Sequence, residues 1–201
     1  MVFKGVKKCF EKQNQKNKLH LCSKAFYFRI MKTLYLVRHA KSDWGKAELA
    51  DIDRPLNARG YSDAHRMSLI LKEKKIFPDL IITSPAIRAI STALVFCRNF
   101  RLDPSELFIN SNLYDSSVKE YLNCISKINN KIKHVMLFGH NPTITDCAKS
   151  LIKSFPEEMP TCSIVGIGSN EAEWKSFVVK KCELLFFDFP KNHIESKGEN
   201  R

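Results

Sequence analysis

Residues 33–42 read Thr-Leu-Tyr-Leu-Val-Arg-His-Ala-Lys-Ser, and they decide the fold class. The first five residues are apolar, aromatic or β-branched, which predicts a short buried strand. Arg38 and His39 follow directly, so two basic side chains stand where the strand ends. Ligands of open α/β sheets bind beyond the carboxyl ends of the strands, and this stretch therefore predicts the position of a site as well as a strand.

The same pattern of strand and helix continues along the chain. Residues 163–168, 174–180 and 183–187 predict antiparallel strands or a hairpin at the sheet edge. Alternating strands and helices indicate an α/β fold of three layers, a mostly parallel sheet flanked by helices. Further strands are predicted over 80–83, 107–110 and 134–138, and helices over 57–74, 85–97, 117–129 and 142–152.

We expect one folded domain over residues 31–190, preceded by a basic extension over 1–30 and followed by a polar tail over 191–201. The extension lacks an apolar segment and a small-residue cleavage site, which argues against a secretory signal. We expect Met31 to be the true start and residues 1–30 to be an artefact of upstream translation. A basic tail that contacts a partner is the alternative. A transit peptide stays open, although that class favours Arg and Ser over Lys.

The net charge of +12 is uneven along the chain. Residues 1–31 hold eight Lys or Arg and one acid, whereas the rest holds 25 basic and 20 acidic residues. The domain is thus only mildly basic, and we expect no nucleic-acid partner. The apolar runs are too short for a membrane span. The seven cysteines are odd in number and lack a C-x-x-C spacing, which indicates reduced thiols in a cytoplasmic protein and no zinc site.

Two histidines and two arginines follow three different predicted strands. Arg38 and His39 follow the first strand, Arg88 follows the second, and His140 follows the strand over 134–138. Guanidinium groups bind phosphate oxygens in a bidentate manner, so their convergence predicts a pocket for a phosphoryl group. The other histidines fit structural or solvated positions, and they are His20, His65, His134 and His193.

Two of the loops carry helix-start signals. Ser84 is followed by Pro85, and Asn141 by Pro142, so each pair predicts an N-cap residue with proline at the first helical position. Helix N-termini direct free N–H groups towards anions. The chain has no Gly-x-Ser-x-Gly, Walker A or Gly-x-Gly-x-x-Gly motif, which excludes these familiar catalytic and phosphate-binding loops.

Four segments together resemble the histidine phosphatase superfamily. Residues 36–42 (LVRHAKS) resemble its opening signature, in the variant typical of SixA-type phosphohistidine phosphatases, and 53–60 (DRPLNARG) resemble that branch's entry to the first helix. Residues 83–93 (TSPAIRAISTA) and 138–142 (FGHNP) resemble its second and third motifs, in the family's order over about 32–190.

This resemblance implies a phosphoglycerate-mutase-like fold and a covalent mechanism. By it, His39 attacks phosphorus and is phosphorylated, and water then releases phosphate. Arg38, Arg88 and His140 would hold the equatorial oxygens, and Ser42 is expected to contact the substrate as well. No metal or other cofactor is required, because fixed positive charge surrounds the transferred group.

The proton donor for the leaving group is less clearly marked. Many members of the superfamily have a Leu-x-Glu segment, and Leu113-Tyr114-Asp115 has this spacing with a shorter acid. Asp115 is our candidate, and its alternative is a carboxylate at a helix start. Asp43 and Asp53 are weaker alternatives. SixA-type members can lack this acid, because an imidazole needs less help to leave than an alkoxide.

The substrate is inferred from the length of the chain between two motifs. The segment from Arg88 to His140 is filled by two helices and a short strand, which leaves no room for the cap of phytase-like members. An open site favours a phosphorylated protein, and phosphohistidine first. The alternatives are hydrolysis of a small phosphate ester and a catalytically silent phosphate-binding module. Mutase activity is least favoured, because it requires exclusion of water.

Overall fold

The computed structural model describes residues 32–45, 48–155 and 158–193. The predicted basic extension, the expected start at Met31 and the tail from residue 194 lie outside these residues. The first three residues of the predicted tail are described. They complete a 3-10 turn over Pro190–His193, in which the His193 ring contacts the Asp188 carboxylate at 2.7 Å.

A six-stranded sheet with the order β3-β2-β4-β1-β5-β6 forms the centre of the molecule. The strands β1 to β4 run parallel, whereas β5 and β6 are antiparallel additions at one edge. Their bounds are β1 Lys32–Arg38, β2 Leu80–Thr83, β3 Leu107–Ile109, β4 His134–Gly139, β5 Ile164–Ser169 and β6 Glu183–Asp188. The predicted mostly parallel sheet is thus confirmed.

Helices cover both faces of the sheet, which gives the three predicted layers. Side chains of β1 alternate between the faces because successive residues of a strand point to opposite sides. Leu34 and Leu36 enter one core cluster, and Tyr35 and Val37 enter the other. The helices are α1 Ala58–Glu73, α2 Ile87–Phe100, α3 Val118–Ser126, α4 Thr143–Leu151 and α5 Trp174–Phe177.

One predicted strand is wrong. The sequence predicts an extended segment over residues 174–180, because aromatic and β-branched residues favour strands. Trp174 instead begins the single helical turn α5, and its indole N–H donates to the Ile132 carbonyl at 3.0 Å. Trp174 and Phe177 are both fully buried, so the i, i+3 spacing places two large side chains on one face.

The start of α3 shows how the sequence defines a helix end. Glu120 accepts hydrogen bonds from the backbone N–H of Ser117 at 2.6 Å and from its hydroxyl at 3.1 Å, which confirms the predicted capping box. In the part of the chain that the structure describes, no helix is long and apolar enough to cross a membrane.

Candidate active site

His39 lies directly after β1 and is fixed by its backbone neighbours. Its N–H donates to the Gly139 carbonyl at 3.1 Å, and the N–H of Ala40 donates to the Thr92 hydroxyl at 3.0 Å. The ring Nδ1 lies 2.7 Å from the Ala40 carbonyl, which can only accept. Nδ1 therefore carries the proton, and Nε2 is left with its lone pair.

Arg88 and His140 lie beside this lone pair. Arg88, in the first turn of α2, donates from Nε to His39 Nε2 at 3.3 Å. The ring of His140, which follows β4, has its centroid 5.0 Å from that of His39. Parallel pairing of β1 with β4 and of β4 with β2 brings these strand ends to one edge. The structure thus brings together three residues that the sequence predicted for one pocket.

The two histidines are neutral at neutral pH. Burial lowers the pKa of His39 to about 3, with a smaller upward effect from the Ala40 carbonyl and further lowering by His140, Arg88 and Arg38. Burial also lowers the pKa of His140 to about 4, and Arg88 adds to that effect. A neutral imidazole keeps the lone pair that nucleophilic attack requires.

Arg38 lies close to the same groups. Its charge contributes to lowering the pKa of His39 and of His140. Its Nη1 donates to the Met159 carbonyl at 2.7 Å, and within the described residues its buried Nε has no hydrogen-bond partner. Burial lowers the pKa of Arg38 itself. A buried guanidinium with an unused donor is suited to bind an anion.

A buried tyrosine holds the loop that carries His140 by a hydrogen bond to its backbone. The hydroxyl of Tyr121, a residue of α3, accepts from the His140 N–H at 3.2 Å and donates to the Leu113 carbonyl at 3.2 Å. A Cβ on Gly139 would lie 2.1 Å from this hydroxyl, so the close approach requires glycine. Sequence reasoning missed Tyr121, whose helical spacing indicates only a core residue.

Both predicted helix caps are wrong. Helix α2 begins at Ile87 after Ala86, and α4 begins at Thr143 after Pro142, neither with a side-chain cap. The Ser84 hydroxyl instead contacts His140 Nε2 at 2.7 Å. Asn141 donates to the Met159 carbonyl and accepts from the Thr145 hydroxyl. Both side chains make hydrogen bonds between the loops of the site instead of capping a helix. The preference of Ser and Asn for N-cap positions does not predict these contacts.

Asp51 is a site residue that the sequence analysis missed. Its carboxylate contacts Arg88 Nη2 at 2.8 Å and Arg54 Nη1 at 2.7 Å, and it accepts from the Tyr114 hydroxyl at 2.9 Å. Burial acts to raise its pKa, but the hydrogen bonds from Tyr114 and Arg88 outweigh it and lower the pKa to about 2. Asp51 is therefore an anion at neutral pH. Its position two residues before the recognisable 53–60 segment was the available signal.

Arg54 organises the loop that carries Asp51. Its Nε donates to the Asp43 carbonyl at 3.1 Å and its Nη2 donates to the Ser42 hydroxyl at 2.8 Å. Its guanidinium carbon lies 3.3 Å from the ring centroid of Trp44. Ser42 is buried beside Arg54, and it does not line the cavity described below. The expected contact between Ser42 and substrate stays a prediction.

A cavity of about 190 Å³ opens beside the histidine pair. Asp115 lines it together with Asp51, Arg88, Tyr114 and His140, so the predicted proton donor lies at the site. Asp115 is exposed and has a φ of 46°, which short polar side chains tolerate.

The two weaker candidates for the proton donor, Asp43 and Asp53, do not line this cavity. The Asp43 carboxylate accepts from the Gly45 N–H, and Asp53 is exposed.

The described residues contain no group of three or more His, Cys, Asp or Glu side chains placed to hold a metal ion. The charged side chains that line the cavity are Arg88, its ion-pair partner Asp51, and Asp115.

A mostly parallel sheet with two histidines and two arginines at its carboxyl edge defines a phosphoglycerate-mutase-like α/β protein. The family model for the histidine phosphatase superfamily (branch 1) matches residues 34–124. An uncharacterized chloroplastic protein of Arabidopsis thaliana is 30% identical over 156 residues, which cover 73% of this chain and 70% of that protein. The chain belongs to the histidine phosphatase superfamily.

Two further relatives show the range of the superfamily. Phosphoglycerate mutase 1 of Saccharomyces cerevisiae is 45% identical over 65 residues, which cover 31% of this chain and only 26% of the mutase. A crystal structure of the putative phosphohistidine phosphatase SixA from Agrobacterium tumefaciens superposes with a TM-score of 0.67 at 26% identity. That match covers 79% of this chain and 97% of the other, and it confirms the predicted fold.

Proposed function

We propose that this protein is a phosphatase that hydrolyses phosphohistidine on another protein through a covalent intermediate at His39. The observation that carries the proposal is the tautomer of the neutral His39 ring, with its proton on Nδ1. Nδ1 donates to the Ala40 carbonyl, so the lone pair on Nε2 faces the Arg88 guanidinium. A nucleophile beside fixed cations is the arrangement that phosphoryl transfer requires.

The reaction proceeds in two in-line steps. His39 Nε2 forms a bond to phosphorus while the P–N bond of the substrate breaks, and the electron pair of that bond stays with the leaving imidazole. Water then attacks the phosphorylated His39, inorganic phosphate leaves, and Nε2 regains its lone pair. Arg38, Arg88 and His140 hold the equatorial oxygens, because charge spreads over these atoms in the transition state.

The shape of the site supports a protein substrate. The chain from Arg88 to His140 is described throughout, and it contains the rest of α2, β3, α3, β4 and short 3-10 turns, with no inserted cap. Tyr114 is partly exposed and Asp115 is exposed at the cavity. A phosphorylated side chain on another protein can reach a site of this kind. The relation to the SixA structure supports the same substrate class.

The second candidate function is hydrolysis of a small phosphate ester. The position of Asp115 favours it, because an exposed carboxyl group lining the cavity can protonate an alkoxide. In the proposed phosphohistidine reaction, an imidazole that is already protonated on its other nitrogen leaves without this help. The contribution of Asp115 should therefore depend on the substrate.

The deciding experiment measures phosphate release from a phosphohistidine protein and from p-nitrophenyl phosphate. We expect the wild type to prefer the first substrate and His39→Ala to lower its turnover at least about a thousandfold. Asp115→Asn should slow ester hydrolysis more than phosphohistidine hydrolysis, and equal losses would contradict its role as proton donor. A preference for the ester would favour the second candidate. Binding of phosphate without turnover of either substrate would indicate a silent binding module.

A further inference from the structure

The guanidinium of Arg88 already has an anionic partner. Its Nη2 contacts the Asp51 carboxylate at 2.8 Å, and its Nη1 donates to the Asp51 main-chain carbonyl. Only Nε is directed to His39. A guanidinium binds phosphate through pairs of parallel N–H groups, so Asp51 uses donors that a phosphoryl group would otherwise engage.

The Asp51 carboxylate is held in this place from the other side. Arg54 contacts its second oxygen at 2.7 Å, and the Tyr114 hydroxyl donates to the oxygen that faces Arg88 at 2.9 Å. Arg54 is itself buried, with only 7% of its surface exposed, and it is fixed by further hydrogen bonds and by Trp44. The side chain of Asp51 is 52% exposed and faces the cavity, so water can replace its contacts with Arg88.

We infer that Asp51 is an internal anion that occupies Arg88 in the free protein and competes there with the phosphoryl group. This inference rests on the anion-binding role that the proposed function gives to Arg88. A bound tetrahedral oxyanion displaces the carboxylate from Nη2 or binds beside it against like-charge repulsion. When inorganic phosphate leaves, Asp51 restores the pair with Arg88. The site therefore binds its product less tightly than its arginines alone would allow.

A purely structural role for Asp51 predicts the opposite effect. If the carboxylate only held Arg88 in its orientation, its removal would release the guanidinium and weaken phosphate binding. If the carboxylate competes, its removal strengthens phosphate binding. The sign of the change in phosphate affinity therefore separates the two roles.

The test is titration calorimetry of the full chain with inorganic phosphate. We expect Asp51→Asn to lower the Kd for phosphate about tenfold, which corresponds to about 1.4 kcal/mol. Glu48→Gln is the matched control, because it removes one exposed acid from the same loop without touching Arg88, and its Kd should stay within about twofold of the wild type. Asp51→Ala should change the affinity in the same direction as Asp51→Asn. Melting curves of all variants establish that each is folded.

An unchanged or higher Kd in both Asp51 variants would overturn the inference, and so would an equal decrease in Glu48→Gln. Absence of phosphate binding in every protein would overturn it together with the anion-binding role of Arg88. The choice of substrate does not enter this measurement. A protein that fails to hydrolyse phosphohistidine but binds phosphate more tightly after Asp51→Asn would contradict the proposed function and support the inference.

Discussion

The contact between Tyr121 and Gly139 predicts a specific coupling between two substitutions. Tyr121→Phe leaves the His140 N–H and the Leu113 carbonyl without the partner that each has at 3.2 Å. Tyr121 is fully buried, so water does not replace the hydroxyl. A buried polar group without a partner costs about 1–3 kcal/mol, and we expect a loss of about 3 kcal/mol for the pair.

Gly139→Ala should be destabilising for a steric reason. The new Cβ would lie 2.1 Å from the Tyr121 hydroxyl oxygen, 2.9 Å from Cζ and 3.0 Å from Cε1. Overpacking of this kind costs about 1–3 kcal/mol, and the shortest contact places Gly139→Ala at the upper end. Without the hydroxyl the shortest contact disappears. The double variant should therefore be about 1–2 kcal/mol more stable than the sum of the single losses indicates.

The assay is urea unfolding of the wild type, both single variants and the double variant, with phosphate release measured in parallel. Tyr61→Phe is the matched control, because Tyr61 is 47% exposed and the change should stay within about 0.5 kcal/mol. Additive losses in the double variant would refute the steric reasoning. A loss below about 0.5 kcal/mol for Tyr121→Phe would show that its hydroxyl does not support the His140 loop.

Two further predictions concern the nucleophile. Thr92→Val removes the acceptor of the Ala40 N–H. It should lower turnover about tenfold and the free energy of unfolding by about 1–2 kcal/mol. An unchanged turnover in steady-state kinetics would contradict the role of Thr92 in positioning His39. The pKa values of His39 and His140 lie below the ordinary value of 6.5, so the unfolded chain binds protons that the folded chain does not. The free energy of unfolding should therefore fall as the pH drops below 6.5, by about 2 kcal/mol per histidine at pH 5. Urea unfolding at pH 7 and pH 5 should show a smaller fall in His39→Asn than in the wild type.

The sheet could be predicted from local patterns because its strands are short apolar runs with clear ends. The predicted strand over 80–83 has the observed bounds, and the other parallel strands differ by a residue or two at their ends. The 174–180 segment could not be assigned in this way. Its composition favours a strand, and only the packing of Trp174 and Phe177 against the other layers turns it into a helical turn.

The sequence was sufficient to place the residues at the strand ends in the site, but it did not predict their hydrogen-bond and ion-pair partners. The order of motifs located His39, Arg88 and His140, because parallel strands end at one edge. The partners depend on distances across the fold. Asp51 begins a short 3-10 turn, Asp51–Asp53, and its contact with Arg88 joins residues that no local pattern links.

The strand ends that form this site are far apart along the chain. His39 and Arg88 are separated by 49 residues, and Ser84 and His140 by 56. Closing such long loops costs chain entropy before any contact stabilises the folded chain, so we expect these contacts to form late in folding. The site therefore forms only when the central strands pair. A chain with formed helices but unpaired strands does not hold these side chains at the distances that binding requires.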